Sequence, residues 1–227
     1  MLRNGLDYRT PSGQLAYQDI KQKKTDLAKC IHKEHPRQKI EYNAVSDKSS
    51  RYYDDFCKIY NFRCAYCGVK VGIMDSQMFE IDHFQCESSY SKTTEGRSIA
   101  GKVDNLVFSC LNCNRGKKDF IIENRYVDLL NPDNNAITKV FYRSKDYHIE
   151  IRDKYKDDTV IRRFYFQLNL GSELKRLDFL LLSIDELIEQ ERQPWCDKII
   201  HQKLESCFYI LSKKRNTLSF KLSKTTR

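Results

Sequence analysis

The sequence predicts an α+β protein. A small strand–loop–strand–helix unit clamped by cysteines sits between an N-terminal helical segment and a mainly helical C-terminal region with a β-hairpin. Three observations predict it. Two C-x2-C pairs, Cys64/Cys67 and Cys110/Cys113, are separated by residues 68–109. Two short apolar runs suited to strands, Met78–Ile81 and Asn105–Ser109, lie inside that interval. Outside it, apolar residues recur three and four apart, as the buried face of a helix requires. The expected boundaries are 1–50 for the N-terminal extension, 51–120 for the cysteine module and 121–227 for the C-terminal region.

Composition narrows the class. The chain has 227 residues, 40% of them hydrophobic, enough to bury a core and offset the entropy of ordering. Gly and Pro are few, which excludes collagen-like and linker-like chains. The longest strictly apolar run, without Tyr or Cys, is Phe179–Leu182, far below the ~20 residues of a bilayer span. Met1–Thr10 lacks the apolar segment of a signal peptide, so a soluble, cytoplasmic protein without a membrane partner is expected. The formal net charge is +9. Lys213, Lys214, Arg215, Lys221, Lys224 and Arg227 form a basic end without an acid, which suits a polyanion such as nucleic acid or a solvated, frayed terminus.

Taken in order, Gly13 to His35 reads as a helix stopped by Pro36, and Arg37–Ser50 as a polar connector. Ser49 or Ser50 caps a second helix with Tyr52, Tyr53, Phe56, Cys57 and Tyr60 on one face. After the first strand, residues 84–104 read as a long loop, a type that is usually functional. A helix begins near Cys110–Cys113 and runs through Lys117, and Ile121–Leu130 reads as another, ended by Asn131-Pro132. Ile137–Arg143 and Tyr147–Arg152 alternate around Ser144-Lys145-Asp146 as a hairpin, while Val160–Leu170 fits strand or helix. From Ser172, Leu174, Leu177, Leu181, Ile184 and Ile188 define a helix. A last helix starts at Pro194, with Trp195, Ile199, Leu204, Phe208 and Leu211 inward.

Nine cysteines without an export signal argue against a disulfide scaffold. Each C-x2-C pair aims two thiolates at one point, and two pairs complete the tetrahedral S4 site that zinc prefers. Cys64, Cys67, Cys110 and Cys113 are therefore the expected ligands of a structural Zn2+. Cys30, Cys57, Cys86, Cys196 and Cys207 have no such spacing and are expected to pack as small apolar residues.

Between and beside the knuckles lie Glu80-Ile81-Asp82-His83, Asp104-Asn105-Leu106 and Cys113-Asn114-Arg115-Gly116-Lys117. In this order, over residues 64–118, the sequence resembles an HNH nuclease with a ββα-metal core of the four-cysteine type. The residue types suit phosphodiester hydrolysis: a base to deprotonate water, and hard oxygens to hold a cation that stabilises charge on phosphate. His83 is the natural base, and Asp82 and Asn114 offer oxygens to Mg2+ or Mn2+. The resemblance implies that Asp82 and Asn114 ligate that ion, and that Asn105 braces the loop presenting His83. Lys117 is expected to contact phosphate, helped by Arg115 and Lys118, whereas Glu80 is expected to be a strand-face residue without a ligand role. Asn114 stands where many relatives carry His. Adjacent strand residues point to opposite faces, so Asp82 and His83 share a site only where the strand ends or bends.

These features imply a metal-dependent endonuclease acting on DNA. A weaker resemblance, in residues 80–84, the Asn131-Pro132 stop and Leu168–Leu182, is to HNH subunits of bacterial anti-phage systems such as Septu and some retrons. It implies an ABC-type ATPase partner docking on residues 172–212. Two alternatives remain open at this point: an RNA (tRNA) nuclease using the same site, and a non-catalytic zinc-ribbon module that binds nucleic acid.

Overall fold

The computed structural model describes residues 6–13, 15–190 and 198–225. Pro194, Trp195, Cys196 and Arg227 lie outside the described residues. Helix α1 (Ile20–Glu34) starts later than the apolar pattern suggests, because Asp19 turns left-handed at its N-terminus (φ 55°). Residues before it form a strap over the first cysteine knuckle. Tyr8 Oη donates to Tyr66 O (2.8 Å), the buried Arg9 to Ala65 O (3.0 Å), and Tyr17 Oη to Cys64 O (2.8 Å).

Short helix α2 (Tyr42–Ser46) interrupts the expected connector. Helix α3 (Arg51–Ile59) begins where Ser50 Oγ accepts from Tyr52 N, and buries Tyr52, Phe56, Cys57 and Ile59. Strands β1 (Phe79–His83) and β2 (Leu106–Cys110) pair antiparallel, with Asp82 opposite Val107 and His83 opposite Leu106. The first strand thus runs two residues beyond the apolar run, carried by pairing rather than by side-chain character. Residues 84–104 are not a bare loop. They hold α4 (Thr94–Ala100), capped by Thr93 Oγ1 accepting from Gly96 N (3.1 Å), flanked by short 3-10 turns.

Helix α5 (Leu111–Lys117) follows β2 directly, and α6 (Asn124–Leu130) ends before Pro132. The expected hairpin forms from β3 (Phe141–Arg143) and β4 (Ile149–Ile151). The ambiguous segment is helix α7 (Thr159–Gln167). Asp158 accepts from both Val160 N and Ile161 N (3.0 Å each), which settles the helical alternative, and Ile161, Phe164 and Leu168 are buried on one side.

Helix α8 (Glu173–Gln190) packs Leu174, Leu177, Phe179, Leu181, Leu182 and Ile188 inward. Helix α9 (Lys198–Thr225) lies along it, with Arg215 Nε donating to the buried Asp178 (2.8 Å) and Lys214 3.5 Å from Glu173. From Lys213 to Lys224 the basic end is therefore helical and partly paired; Arg227 lies outside the described residues. Leu204, Phe208 and Leu211 are half-buried as expected, but Ile199 is 61% exposed and Cys207 is exposed, a correction to both readings. No helix of the described residues is long and apolar enough to cross a membrane. One contiguous core, from Tyr8 through Leu170, draws on all three segments distinguished in the sequence.

Candidate functional site

The sulfurs of Cys64, Cys67, Cys110 and Cys113 converge within 4.8 Å of one another, and all four residues are buried. Cys67 Sγ and Cys110 Sγ are 3.8 Å apart. A tetrahedral ion with Zn–S bonds of ~2.3 Å places its sulfurs about 3.8 Å apart, so this spacing fits zinc. The knuckle that presents Cys64 and Cys67 is closed by Cys64 N donating to Val69 O (2.8 Å) and Gly68 N to Cys64 O (2.9 Å). Gly68 needs its positive φ (81°), and a Cβ there would meet Arg9 O at 2.1 Å. A cation faces the cluster from α8. Burial opposes the charge of Lys175, yet the cysteine sulfurs hold its pKa above the usual lysine value, and Nζ donates to Leu168 O. Tetrathiolate zinc carries net negative charge, which a buried ammonium offsets.

Strand alternation sorts the next residues. Glu80 and Asp82 are two apart on β1 and face α5, where Asn114 and Lys117, three apart, face back. Asn114 Nδ2 donates to Glu80 Oε2 (2.7 Å), and Lys117 Nζ donates to Asp82 Oδ1 (3.0 Å) and His83 O (2.8 Å). Tyr66 Oη, from within the first knuckle, donates to Asp82 Oδ2 (2.7 Å). Burial pushes the Asp82 carboxyl above its ordinary pKa, with Lys117 and Tyr66 pulling it back.

This geometry departs from the phosphate contact expected of Lys117. Its side chain is 1% exposed and committed to Asp82, so it holds the site together rather than meeting solvent. Arg115 (72% exposed) and Lys118 remain on the surface. Glu80, expected to be only a strand-face residue, orients Asn114. Its carboxylate, that of Asp82, whose two oxygens already accept from Lys117 and Tyr66, and the amide oxygen of Asn114 are hard donors of the kind that suits Mg2+ or Mn2+. Among the described residues, the four cysteines are the only group of three or more Cys, His, Asp or Glu ligand atoms so closely gathered. Such a cation would therefore rest on few protein ligands.

His83 is the last residue of β1, where the strand ends. Its ring lies 4.5 Å, centroid to centroid, from Tyr42 of α2, which also feels the charges of Glu80 and Asp82, and Glu87 Oε1 is 3.5 Å from Nε2. Nε2 is buried with no hydrogen-bond partner among the described residues. Burial lowers the imidazole pKa; Glu87 offsets part of this and Lys117 adds to it. Immediately beyond, Asn105 closes the chain back on itself. Its O accepts from Phe84 N (2.7 Å), its Oδ1 from Gln85 N (2.9 Å), and its Nδ2 donates to Gln85 O (2.9 Å) and Ala100 O (2.8 Å). Glu41 steadies the same turn by accepting from Val103 N (2.6 Å).

Sequence reasoning missed Tyr66, Tyr42 and Glu87. Tyr42 lay in a segment read as connector, and no periodicity marks it. The Glu80–Asn114 and Asp82–Lys117 pairs did carry a signal: two residues apart on a strand opposite three apart on a helix.

Residues 64–120 match the family model described as HNH endonuclease, a span that contains residues 64–118, where the resemblance lies. No curated protein and no solved structure matches the chain.

Proposed function

We propose that the chain is a divalent-cation-dependent endonuclease that hydrolyses phosphodiester bonds in DNA, with His83 as general base and a structural Zn2+ on the four cysteines. The observation that carries it is the His83 Nε2 atom. It is buried, lacks a hydrogen bond among the described residues, and belongs to a ring whose pKa is lowered, so the imidazole is neutral near pH 7 and able to take up a proton. A buried polar atom without a partner calls for an explanation, and proton abstraction from water supplies one.

The other residues then act on position. Asn105 fixes the turn that follows His83, and Tyr42 fixes the plane of its ring. Glu87 is 62% exposed and lies beside Nε2, so it has to swing aside for the attacking water and an anionic phosphate. Asp82, Asn114 and Glu80 would hold the cation, which would stabilise charge developing on the phosphate. Lys117 keeps Asp82 facing α5 and, through His83 O, holds the strand end. Arg115 and Lys118 supply exposed charge for the substrate backbone.

The test is cleavage of DNA, with RNA in parallel, by zinc-loaded protein with and without Mg2+ or Mn2+. The proposal expects DNA cleavage only with added cation, and a His83→Ala protein that binds but does not cut. Cleavage of RNA alone would move the substrate, and a wild type that binds but cuts neither would leave a binding module. The weaker resemblance adds a defence role and an ABC-type ATPase docked on residues 172–212. The apolar stripe of α8 in that span is largely buried, Leu174, Leu177, Leu181, Leu182 and Ile188 among it, whereas Tyr209 (59%) and Ile210 (64%) on α9 are exposed. Substituting both with Glu should abolish co-purification with such an ATPase; an intact complex would remove the partner from this helix.

A further inference from the structure

Helix α7 lies outside the residues matched to the family and carries none of the chemistry above. It nevertheless abuts α5. A Cβ on Gly116 would stand 2.3 Å from Gln167 O, so only glycine lets the two helices approach this closely. Phe120, just beyond α5, packs on Phe164 (centroids 5.8 Å apart), and the Arg163 guanidinium sits over the Phe120 ring at 5.2 Å. One side of α7 is sunk in the core through Ile161 and Phe164. The other presents Arg162 and Arg163, with Phe166 three and four residues on and therefore on the same face. Both arginines are exposed, and Phe166 is 64% exposed.

We infer that this face continues the nucleic-acid path from α5, with Lys118, Arg163 and Arg162 meeting successive phosphates and Phe166 stacking on an unpaired base. The inference rests on the nuclease reading and extends it to a substrate class: nucleic acid with a single-stranded segment beside the cut. Charge favours this occupant. Arg115, Lys118, Arg162 and Arg163 are exposed on the joined surfaces of α5 and α7. The nearby acids are Glu80, 3.9 Å from Arg115, Asp119 beside Lys118, and Asp157, Asp158 and Glu123 toward the start of α7; Asp158 is engaged as the helix cap and Glu123 pairs with Arg125 (3.0 Å). A single exposed aromatic among cations is the composition of a stacking platform on a charged track. A protein-docking face would present a larger apolar patch. A lipid surface is disfavoured because the helix has nine residues and its apolar side is already buried.

The experiment measures binding of full-length, zinc-loaded protein, in Ca2+ to suppress cleavage, to an oligothymidylate of about 30 nucleotides and to a duplex of equal length. Arg162→Ala/Arg163→Ala should weaken oligothymidylate binding about tenfold and reduce the slope of log K against log salt by about 1.4, two phosphate contacts at ~0.7 each. Phe166→Ala should weaken it about tenfold with the slope unchanged, and this effect should vanish on an abasic strand and be absent on duplex. Arg162→Ala alone, which leaves the Arg163–Phe120 contact, should lower the slope by about 0.7 and guards against a folding defect. Wild-type affinity and slope in these variants would overturn the inference, whether the face is idle or serves a protein. Cleavage by the wild type separates the two proposals. A wild type that cuts while the variants bind normally removes this surface and leaves the nuclease; one that never cuts while the variants lose binding does the reverse.

Discussion

Replacing Lys117 with Met tests whether that lysine holds Asp82 or meets phosphate. The side chain is nearly isosteric, so little cavity is made, and the change removes the ammonium from Asp82 Oδ1 (3.0 Å) and His83 O (2.8 Å). Side-chain exposures of 1% and 6% make the ion pair buried on both sides. Breaking a buried pair by removing one partner costs about 3–5 kcal/mol, because the remaining carboxylate is desolvated without compensation. Tyr66 still donates to Oδ2, which places the expectation near the lower figure. Denaturant unfolding of the zinc-loaded protein at pH 7 should show a loss of about 3 kcal/mol. Arg115→Ala, at an exposed contact 3.9 Å from Glu80, should change stability by less than about 0.5 kcal/mol. The pH dependence has a definite sign. The ordinary Asp pKa is 3.8, burial raises that of Asp82, and losing the ammonium raises it further. Protonation then relieves the variant, so its deficit grows as pH rises from the raised wild-type Asp82 pKa toward the still higher one of the variant, and shrinks below that window. Coupling is read from the cycle with Asp82→Asn: the double variant should lose less than the sum of the single ones. A Lys117→Met protein with wild-type stability but a reduced salt slope in DNA binding would refute the assignment and restore the lysine to the phosphate.

Gly68→Ala should cost more than about 3 kcal/mol, since strain at positive φ (81°) adds to a Cβ 2.1 Å from Arg9 O. Gly72→Ala (φ 103°), with nothing within 4 Å, should show the backbone part alone, about 1–2 kcal/mol; equal losses would deny the clash. Elemental analysis should find one zinc per chain, and stripping it with a thiol reagent should abolish the cooperative thermal transition; retention of a normal transition would mean that the ion does not hold the fold. For cleavage, the active form of His83 is neutral and persists above its pKa. The acid limb of kcat/KM should therefore fall below the ordinary value of 6.5. Glu87→Gln removes a carboxylate that raises that pKa, so the limb should move lower still; a shift upward would contradict the arrangement around Nε2.

The parts that were legible are those in which one local pattern decides. Paired cysteines announce a metal clamp because two identical spacings rarely arise from core packing, and all four sulfurs converge. Ser50 and the face of Tyr52, Phe56 and Cys57 announce α3 because cap and periodicity agree. The parts that were not legible depend on distant partners. Residues before Ile20 look helical in composition but spend their apolar and hydrogen-bonding groups on the backbone of residues 63–66. Helix α4 is capped by Thr93 yet rich in residues that suit a loop, so its existence turned on a single threonine. Lys117 illustrates the difference most directly. A lysine near a phosphate site reads as a phosphate ligand, and only the opposing Asp82, three dozen residues earlier in the chain, turns it inward.

Helix α5 shows why so short an element can organise the candidate site. Its N-terminal turn supplies Cys113 and is preceded by Cys110, so a bound ion fixes its start. Asn114 and Lys117 fall on the face toward β1, Gly116 on the face toward α7, and Arg115 outward. Seven residues cannot form a stable helix alone, since nucleation outweighs so few hydrogen bonds. Its geometry is therefore set entirely by what surrounds it: thiolates at one end, the Asp82 carboxylate along one side and the Gln167 carbonyl along another. A perturbation at any of the three should be felt at the other two, and the acidic face of β1 should lose its cation-holding shape when the cysteines lose theirs. On this argument the four-cysteine cluster and the proposed catalytic site are one mechanical unit, although the ions proposed for them differ in chemistry.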